Sequence, residues 1–412
     1  MAEILSTLSK RQTKLKHNII FLFNGAEENG LQGAHAFLRH PWARGVTTLI
    51  NLDAAGMNGK PTVFQVTDTR LINAFKRSVP RPTAQAMAEF MFKSGLIPSD
   101  TDFRIFRDFG NMQGIDIAFA KWGHVYHTRN DRPELLAPGV VQNAGDMLLA
   151  LLLDIADLSN MDGTVEPGSA LYFDYLSLFL VTYSITAAYV IDVFIALLGF
   201  ISVAHFIWLI GARWSAVREL LFSCLGRLLS TLAGMLVTVI CIALMVATTK
   251  QMRYLSHPWL VVPLYWLPFL ILAVAASQLY DAWRSRKSGL SRSLRCVQAQ
   301  AATRLLMTVT TLILACIPVT TSMRYMVTVP LLIMSITSFI TLTIIRFFRL
   351  KGWQHLLLEV VLSLPAMMWL SSLALRLDAT MLPIMGRSSN NTPDYMVGVI
   401  NILLAVLLSS VV

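Results

Sequence analysis

Residues 18–31 read NIIFLFNGAEENGL: an apolar run ends at Asn24-Gly25-Ala26, and two carboxylates, Glu27 and Glu28, follow at once. In a chain with only 14% charged residues, side-by-side acids at the end of an apolar run need a reason. A second run rich in β-branched residues, TTLINLD (47–53), ends on Asp53, and a helix-like segment, LQGAHAFLRH (31–40), lies between the two. Strand, helix and strand at this spacing read as a βαβ unit of a mostly parallel sheet. Ligands gather at the carboxyl ends of strands in such sheets, which is where Glu27, Glu28 and Asp53 fall. A third run, IDIAFA (115–120), is followed by GHVYHTRND (123–131) and brings His127 near another strand end.

Three carboxylates and an imidazole at neighbouring strand tips suit a zinc site, whose ordinary ligands include oxygen and nitrogen. A hydrolytic centre also needs a carboxylate that stays off the metal and takes a proton from the bound water. Neighbouring residues at a strand end point in different directions, so one Glu can ligate while the other faces the water. Taken singly, each residue has a plainer reading, a solvated acid pair or a structural histidine. Their joint placement carries the inference.

The composition divides the chain in two. Residues 1–165 carry charges and turn signals throughout, as a soluble α/β domain does. Residues 171–412 are long apolar stretches separated by short basic loops. Stretches of about 20 apolar residues match the thickness of a bilayer core. Six full spans are expected, at 187–211, 220–247, 257–280, 303–322, 325–345 and 354–375, with a seventh, 396–412, cut off by the chain end. The stretch 171–186, which carries Asp174, is expected to lie at the membrane surface. The net charge of +10 does not point to nucleic acid, because Lys and Arg sit mainly in loops between apolar segments. All four cysteines (Cys224, Cys241, Cys296 and Cys316) lie after residue 171, so the first part has neither a disulfide framework nor a thiolate metal site.

Loops after the first, third and fifth spans are the basic ones, carrying Arg213 and Arg218, then Arg284 to Arg295, then Arg346 to Lys351. The positive-inside rule puts them in the cytosol and the N-terminal domain on the opposite side. Asn390-Asn391-Thr392 is a glycosylation sequon in a loop on that same side. Asp192 and His205 lie in or beside the first span. Intramembrane ionisable residues are functional candidates, and with them a transporter carrying an appended domain is a third reading.

Four stretches in order, FLFNGAEENGLQGAHAF, INLDAAGMNG, GLIPSDTDFRIFRDFGNMQGIDIAF and YHTRND, closely resemble the co-catalytic di-zinc exopeptidases of the aminopeptidase and glutamate carboxypeptidase type. The resemblance implies an α/β zinc-exopeptidase domain, partial here, followed by a polytopic helical membrane bundle. It makes Glu27 the general base, Glu28 and His127 ligands of one zinc, Asp53 a ligand of the other, and Tyr126 a helper of the oxyanion. Ser99, Asp100, Asp102 and Phe103 would line the substrate pocket, or else form an Asx-rich turn capping the next helix. The implied protein is a peptide-cleaving, glycosylated enzyme of the endoplasmic reticulum membrane, with two zinc ions and its peptidase domain in the lumen. Its partners would be peptide substrate and membrane lipid, with no nucleic acid. The family also has an upstream His-x-Asp motif and a metal-bridging aspartate, and neither precedes Glu27 here; only His17 does. The expectation is a chain truncated at both ends. Its incomplete metal set leaves a catalytically inactive pseudo-peptidase scaffold as the alternative. Terminus preference and oligomeric state stay open.

Overall fold

The computed structural model describes residues 1–95, 97, 100–158, 170–288, 290–348, 352–386 and 393–411. The chain forms two compact units, 1–188 with 321–323, and 189–320 with 324–412.

In the first unit α1 (Ala2–Ser9), α2 (Gln32–Leu38), β1 (Thr48–Ala54), β2 (Thr62–Val66), α3 (Thr69–Ser78), α4 (Met87–Lys93), α5 (Asp102–Asp108), β3 (Gln113–Phe119) and α6 (Val140–Ala156) follow one another. The sheet has the order β1-β3-β2. β1 runs parallel to β3 with Asp53 opposite Ala118, and β2 runs antiparallel to β3. The expected strand–helix–strand unit is realised only in part. Residues 18–23 belong to no helix or strand, with Phe23 64% exposed, and make no ladder with β1. What holds this segment is side-chain packing and its flanks. Leu22 packs against Leu31, Ala34, Ile105 and Phe106. His17 is tied to the end of α6, its backbone N–H donating to the Ala156 carbonyl at 3.2 Å and its Nε2 lying 2.7 Å from the Leu158 carbonyl. His17 therefore has a structural place.

β3 is the central strand, with Gly114 to Ile117 all buried. A Cβ at Gly114 would stand 2.7 Å from both Leu49 and Phe103, so glycine is what lets α5 lie directly on the sheet. α3 starts where the Asp68 carboxylate accepts from the Arg70 N–H at 2.7 Å, as an N-cap acid does. Its Leu71, Ile72, Ala74 and Phe75 form the buried face.

The stretch 171–186, expected at the membrane surface, carries regular secondary structure. It forms the hairpin β4 (Ala170–Tyr175) and β5 (Phe179–Ser184), paired antiparallel. Asp174 serves this hairpin: one oxygen accepts from the Ser177 N–H at 2.8 Å, the other from the Ala84 N–H and the Gln85 amide. The first unit therefore runs to 188, past the expected boundary at 165–171.

The second unit is helical: α7 (Ile185–Leu209, begun in the first unit), α8 (Trp214–Ala247), α9 (Leu267–Ser288), α10 (Arg292–Ala315), α11 (Tyr325–Phe348), α12 (Gly352–Gly386) and α13 (Pro393–Val411). Among the described residues six helical segments are long and apolar enough to cross a membrane. Five coincide with expected spans, and the sixth is α13, full enough at 19 residues to qualify. The expected span 303–322 is not one of them: α10 begins earlier, at Arg292, and stops at Ala315, before Pro318. Its first half is too polar to score as a span, yet α10 lies at the heart of the bundle. Val297, Ala301 and Ala302 pack with Val203 and Phe206 of α7, Leu220 and Cys224 of α8 and Leu342 of α11. α8 approaches α9 closely through small residues: a Cβ at Gly234 would stand 3.0 Å from the Phe269 ring, the usual role of glycine between membrane helices.

Asp192 and His205 have local partners. The Asp192 carboxylate lies 3.0 Å from Arg324, whose guanidinium also stacks 4.3 Å from the Tyr189 ring. His205 stacks on Phe339 and Trp208. These are the contacts of a buried ion pair and a packed aromatic.

Candidate active site

Glu27 and Glu28 sit in the turn between the segment 18–23 and α2. The turn is closed by backbone bonds from Leu31 to the Glu27 carbonyl and from Gln32 to the Ala26 carbonyl. Asn24 anchors it, with Oδ1 accepting from the Ala26 N–H at 3.2 Å and its amide donating to the Asp102 carboxylate. A Cβ at Gly33 would run into the Asn24 amide, so the first turn of α2 must carry glycine for Asn24 to reach Asp102.

Asp53 is the penultimate residue of β1, its carboxylate accepting from the Ala54 N–H at 2.6 Å. His127 follows β3 in a turn, with φ at 60°, a left-handed conformation that non-glycine residues adopt uncommonly. Its Nε2 meets Glu28 Oε1 at 2.5 Å, and Tyr126 stacks on the imidazole with ring centroids 3.9 Å apart. Glu28 and His127 are both open to solvent.

The four residues picked from the sequence converge. The Glu27 carboxyl is pushed up to about 7, first by burial and then by repulsion from Asp53, Glu28 and Asp102. Asp53 is likewise raised, mainly by burial, with Asp102 and Glu28 adding to it and His127 opposing. A carboxylate near 7 can exchange a proton at neutral pH, which is what a general base requires. Beside Asp53 a cavity of about 330 Å³ opens, walled by Leu52, Phe119, Val141 and residues of α1.

The SDTDF stretch divides. Ser99 lies outside the described residues, as does the sequon residue Asn390. Asp100 accepts from the Thr101 N–H at 2.9 Å and pairs with Arg104 at 3.4 Å. Asp102, the first residue of α5, is buried against Asn24 and raised by that burial, with one oxygen unpartnered. Phe103 is 1% exposed and belongs to the core under the sheet, so it does not line an open pocket. Nor is α5 capped by a side chain. The Thr101 hydroxyl donates instead to Asp116 at 2.6 Å.

Asp116 is the residue that sequence reasoning missed. It is fully buried in β3, accepting from Thr101, from Asn51 of β1 at 2.8 Å and from Gln65 of β2 at 3.3 Å. It therefore ties all three strands to the start of α5. Its signal was present: a lone acid in the middle of the apolar run IDIAFA.

Peptidase family M28, whose model matches residues 1–152, generally uses zinc. Among the described residues no three His, Cys, Asp or Glu side chains are arranged to hold a metal. Glu28 and His127 make a two-donor pair, one ligand short of the three that a catalytic zinc takes beside its water.

The chain is 45% identical over 188 residues to endoplasmic reticulum metallopeptidase 1 of Homo sapiens, covering 44% of this chain and 21% of that protein. Putative endoplasmic reticulum metallopeptidase 1-B of Caenorhabditis elegans is 29% identical over 288 residues, 68% of this chain and 31% of that protein. The vacuolar membrane protease of Schizophyllum commune is 33% identical over 187 residues, 45% of this chain and 21% of that protein. The chain thus spans a fifth to a third of the length of these relatives. No solved structure matches. Residues 1–152 match the model of peptidase family M28, and the chain continues into helices long and apolar enough to cross a membrane.

Proposed function

We propose that the chain acts as a membrane-anchored metallo-exopeptidase of the endoplasmic reticulum, removing terminal residues from peptides in the lumen. The observation that carries this is the Glu28–His127 contact, with Glu27 and Asp53 near enough to feel the charges of their neighbours, in a segment that matches the M28 model. Glu27 is the general base, its carboxyl pushed up to about 7 by burial first and by its acidic neighbours second. Glu28 and His127 are ligands for one zinc, Asp53 is a ligand for a second, and Tyr126 stands beside the site on the His127 ring. Zinc would supply an activated water. The donors present do not complete a site, so no step is assigned to metal. Asp100 and Asp102 border the substrate approach.

The luminal orientation rests on the basic loops, with α10 counted as a span. Its 24 residues reach about 36 Å at 1.5 Å per residue, and its Gln298, Thr303, Arg304, Thr308 and Thr311 are buried. A glycan on Asn390, removable by endoglycosidase from intact microsomes only after permeabilisation, is the expected result. Modification from the cytosolic side would reverse the topology.

The full-length chain, purified with zinc and given aminoacyl and peptide substrates, is expected to turn over, and Glu27→Gln to abolish turnover. Turnover that survives this substitution removes Glu27 as the base. A non-catalytic scaffold is favoured by one observation, the lack of a three-donor cluster among the described residues. Two zinc ions per chain by elemental analysis would rule that reading out.

A further inference from the structure

The helical unit holds a second site, independent of the peptidase chemistry. A cavity of about 420 Å³ lies where α8, α9 and α10 meet, with α11, α12 and α13 also contributing walls. That volume is in the range of small-molecule sites. Its lining is charged, which is costly between membrane helices and marks function when it occurs.

The charges do not balance. Among the described residues four arginines and three acids line the cavity. Two pairs are closed: Arg284 with Glu219 at 2.6 Å, and Arg295 with Asp281 at 2.9 Å. Arg227, Arg304 and Glu359 remain, an excess of one positive charge. Arg227 donates to the Ser409 carbonyl, and Glu359 accepts from Gln300 at 2.6 Å. Arg304 is 2% exposed, at the midpoint of α10. Its Nε donates to Ser202 Oγ at 3.1 Å, but its Nη2 is buried without any hydrogen-bond partner. Gln298, six residues earlier and 4% exposed, has an equally orphaned Oε1. Buried polar atoms are nearly always satisfied, and leaving a guanidinium nitrogen dry is more costly than leaving a neutral group. One missing acceptor and one missing donor in the same cavity describe the complement of a ligand.

We propose that this cavity binds a singly charged anionic group, phosphate or carboxylate, that also carries an O–H or N–H donor. The anion accepts from Arg304, whose planar fork suits such oxygens, and the ligand's donor reaches the Gln298 carbonyl oxygen. The anionic group can belong to a phospholipid headgroup or to a soluble molecule, and the test separates them.

The full-length chain would be reconstituted in phosphatidylcholine nanodiscs, with or without phosphatidylinositol, and retained lipid read by native mass spectrometry. In a second arm without phosphatidylinositol, labelled inorganic phosphate would be measured by equilibrium dialysis at pH 6, where its monoanion carries O–H donors. Retention of phosphatidylinositol over phosphatidylcholine assigns the site to a headgroup, and saturable phosphate binding assigns it to a soluble anion. In either arm Arg304→Gln should weaken binding at least tenfold. Should that variant fail to fold, Ala299→Phe, which puts a ring into the cavity from its lining and leaves Arg304 intact, should give the same loss. Occupancy should also slow maleimide labelling of Cys296, an exposed cysteine on the cavity wall, and leave the exposed Cys316 unchanged. The proposal is overturned if neither probe binds above the phosphatidylcholine control, or if binding is unchanged in the folded variants.

Discussion

Replacing Asp116 by asparagine should make the peptidase domain more stable at alkaline pH, although it removes a residue that bonds three strands. Burial raises the Asp116 carboxyl from 3.8 to about 7, with repulsion from Asp53 and Asp100 adding to it, while the Thr101 and Asn51 bonds pull the other way. The folded state therefore holds a proton that the unfolded chain releases above pH 3.8. Between those values the folded state binds more protons, so stability falls as pH rises. Asp116 contributes fully below about pH 4, and that contribution is gone above about pH 7. Three units at 1.36 kcal/mol each make the loss ~4 kcal/mol. Asparagine has the same shape, never ionises, and can still accept from Asn51 while donating to the Thr101 hydroxyl, losing the longer 3.3 Å bond from Gln65 at every pH. Wild type and Asp116→Asn should thus melt close together near pH 4.5. By pH 8 the variant should melt higher, by on the order of 10 °C at roughly 2–4 °C per kcal/mol for a unit of this size. The assay is thermal unfolding of the detergent-purified full chain across this range, read by protease susceptibility of the first unit. The difference between the two proteins isolates Asp116 from Glu27, Asp53 and the other titrating acids. A difference that stays flat from pH 4.5 to 8 would refute the reasoning.

Gly33→Ala should drive a methyl into the Asn24 amide and break its bond to Asp102, costing about 1–3 kcal/mol as overpacking does. A lowered melting midpoint with reduced occupancy of the Glu28–His127 contact, seen by histidine NMR, would check it. Asn401→Leu should strip partners from two buried groups, since Asn401 accepts from Trp266 Nε1 at 2.7 Å and donates to Asp378 at 3.0 Å. The expected cost is about 2–3 kcal/mol or more, measured as a fall in the detergent melting midpoint without loss of the first unit's protease resistance. Chelation by EDTA should lower the melting midpoint of the wild-type first unit if Glu28, His127 and Asp53 hold metal. It should leave Glu28→Gln, His127→Ala much less affected, and an equal response in both would place the metal elsewhere.

The sequence was most legible where local signals and tertiary packing agree. α2, β1 and β3 fall where alternation and helix spacing put them, and Glu28 meets His127 although only Asp53, of the three carboxylates, stands at a strand end. It was least legible where a partner decides. The segment 18–23 has the composition of a strand, but a strand needs a ladder, and β1 bonds only to β3. LYFDYLSLFLVTYSIT is a hairpin whose first strand is buried, with Leu171, Tyr172 and Phe173 inside, while Leu178 and Phe179 at its turn are exposed; an apolar run of that kind does not by itself show a hairpin. Phe103 looked like a pocket wall by its neighbours in sequence, and only the fit against Gly114 shows it in the core. Asp116 was overlooked because a lone acid in a strand gives no sign of the three donors that come from elsewhere in the chain.

The polar core of α10 bears on how the protein is made. A translocating ribosome presents membrane helices one at a time, and an arginine at the centre of a lone helix costs ~2.5–3.5 kcal/mol to insert. Arg304 occupies that centre, with Gln298 and Gln300 nearby. Two partners of this stretch, Ser202 of α7 and the Glu219 carbonyl of α8 that receives the Gln298 amide, are synthesised earlier. Leu342 of α11 and Glu359 of α12 come later. Membrane entry of α10 is therefore an act of assembly, in which helices already made receive the next one.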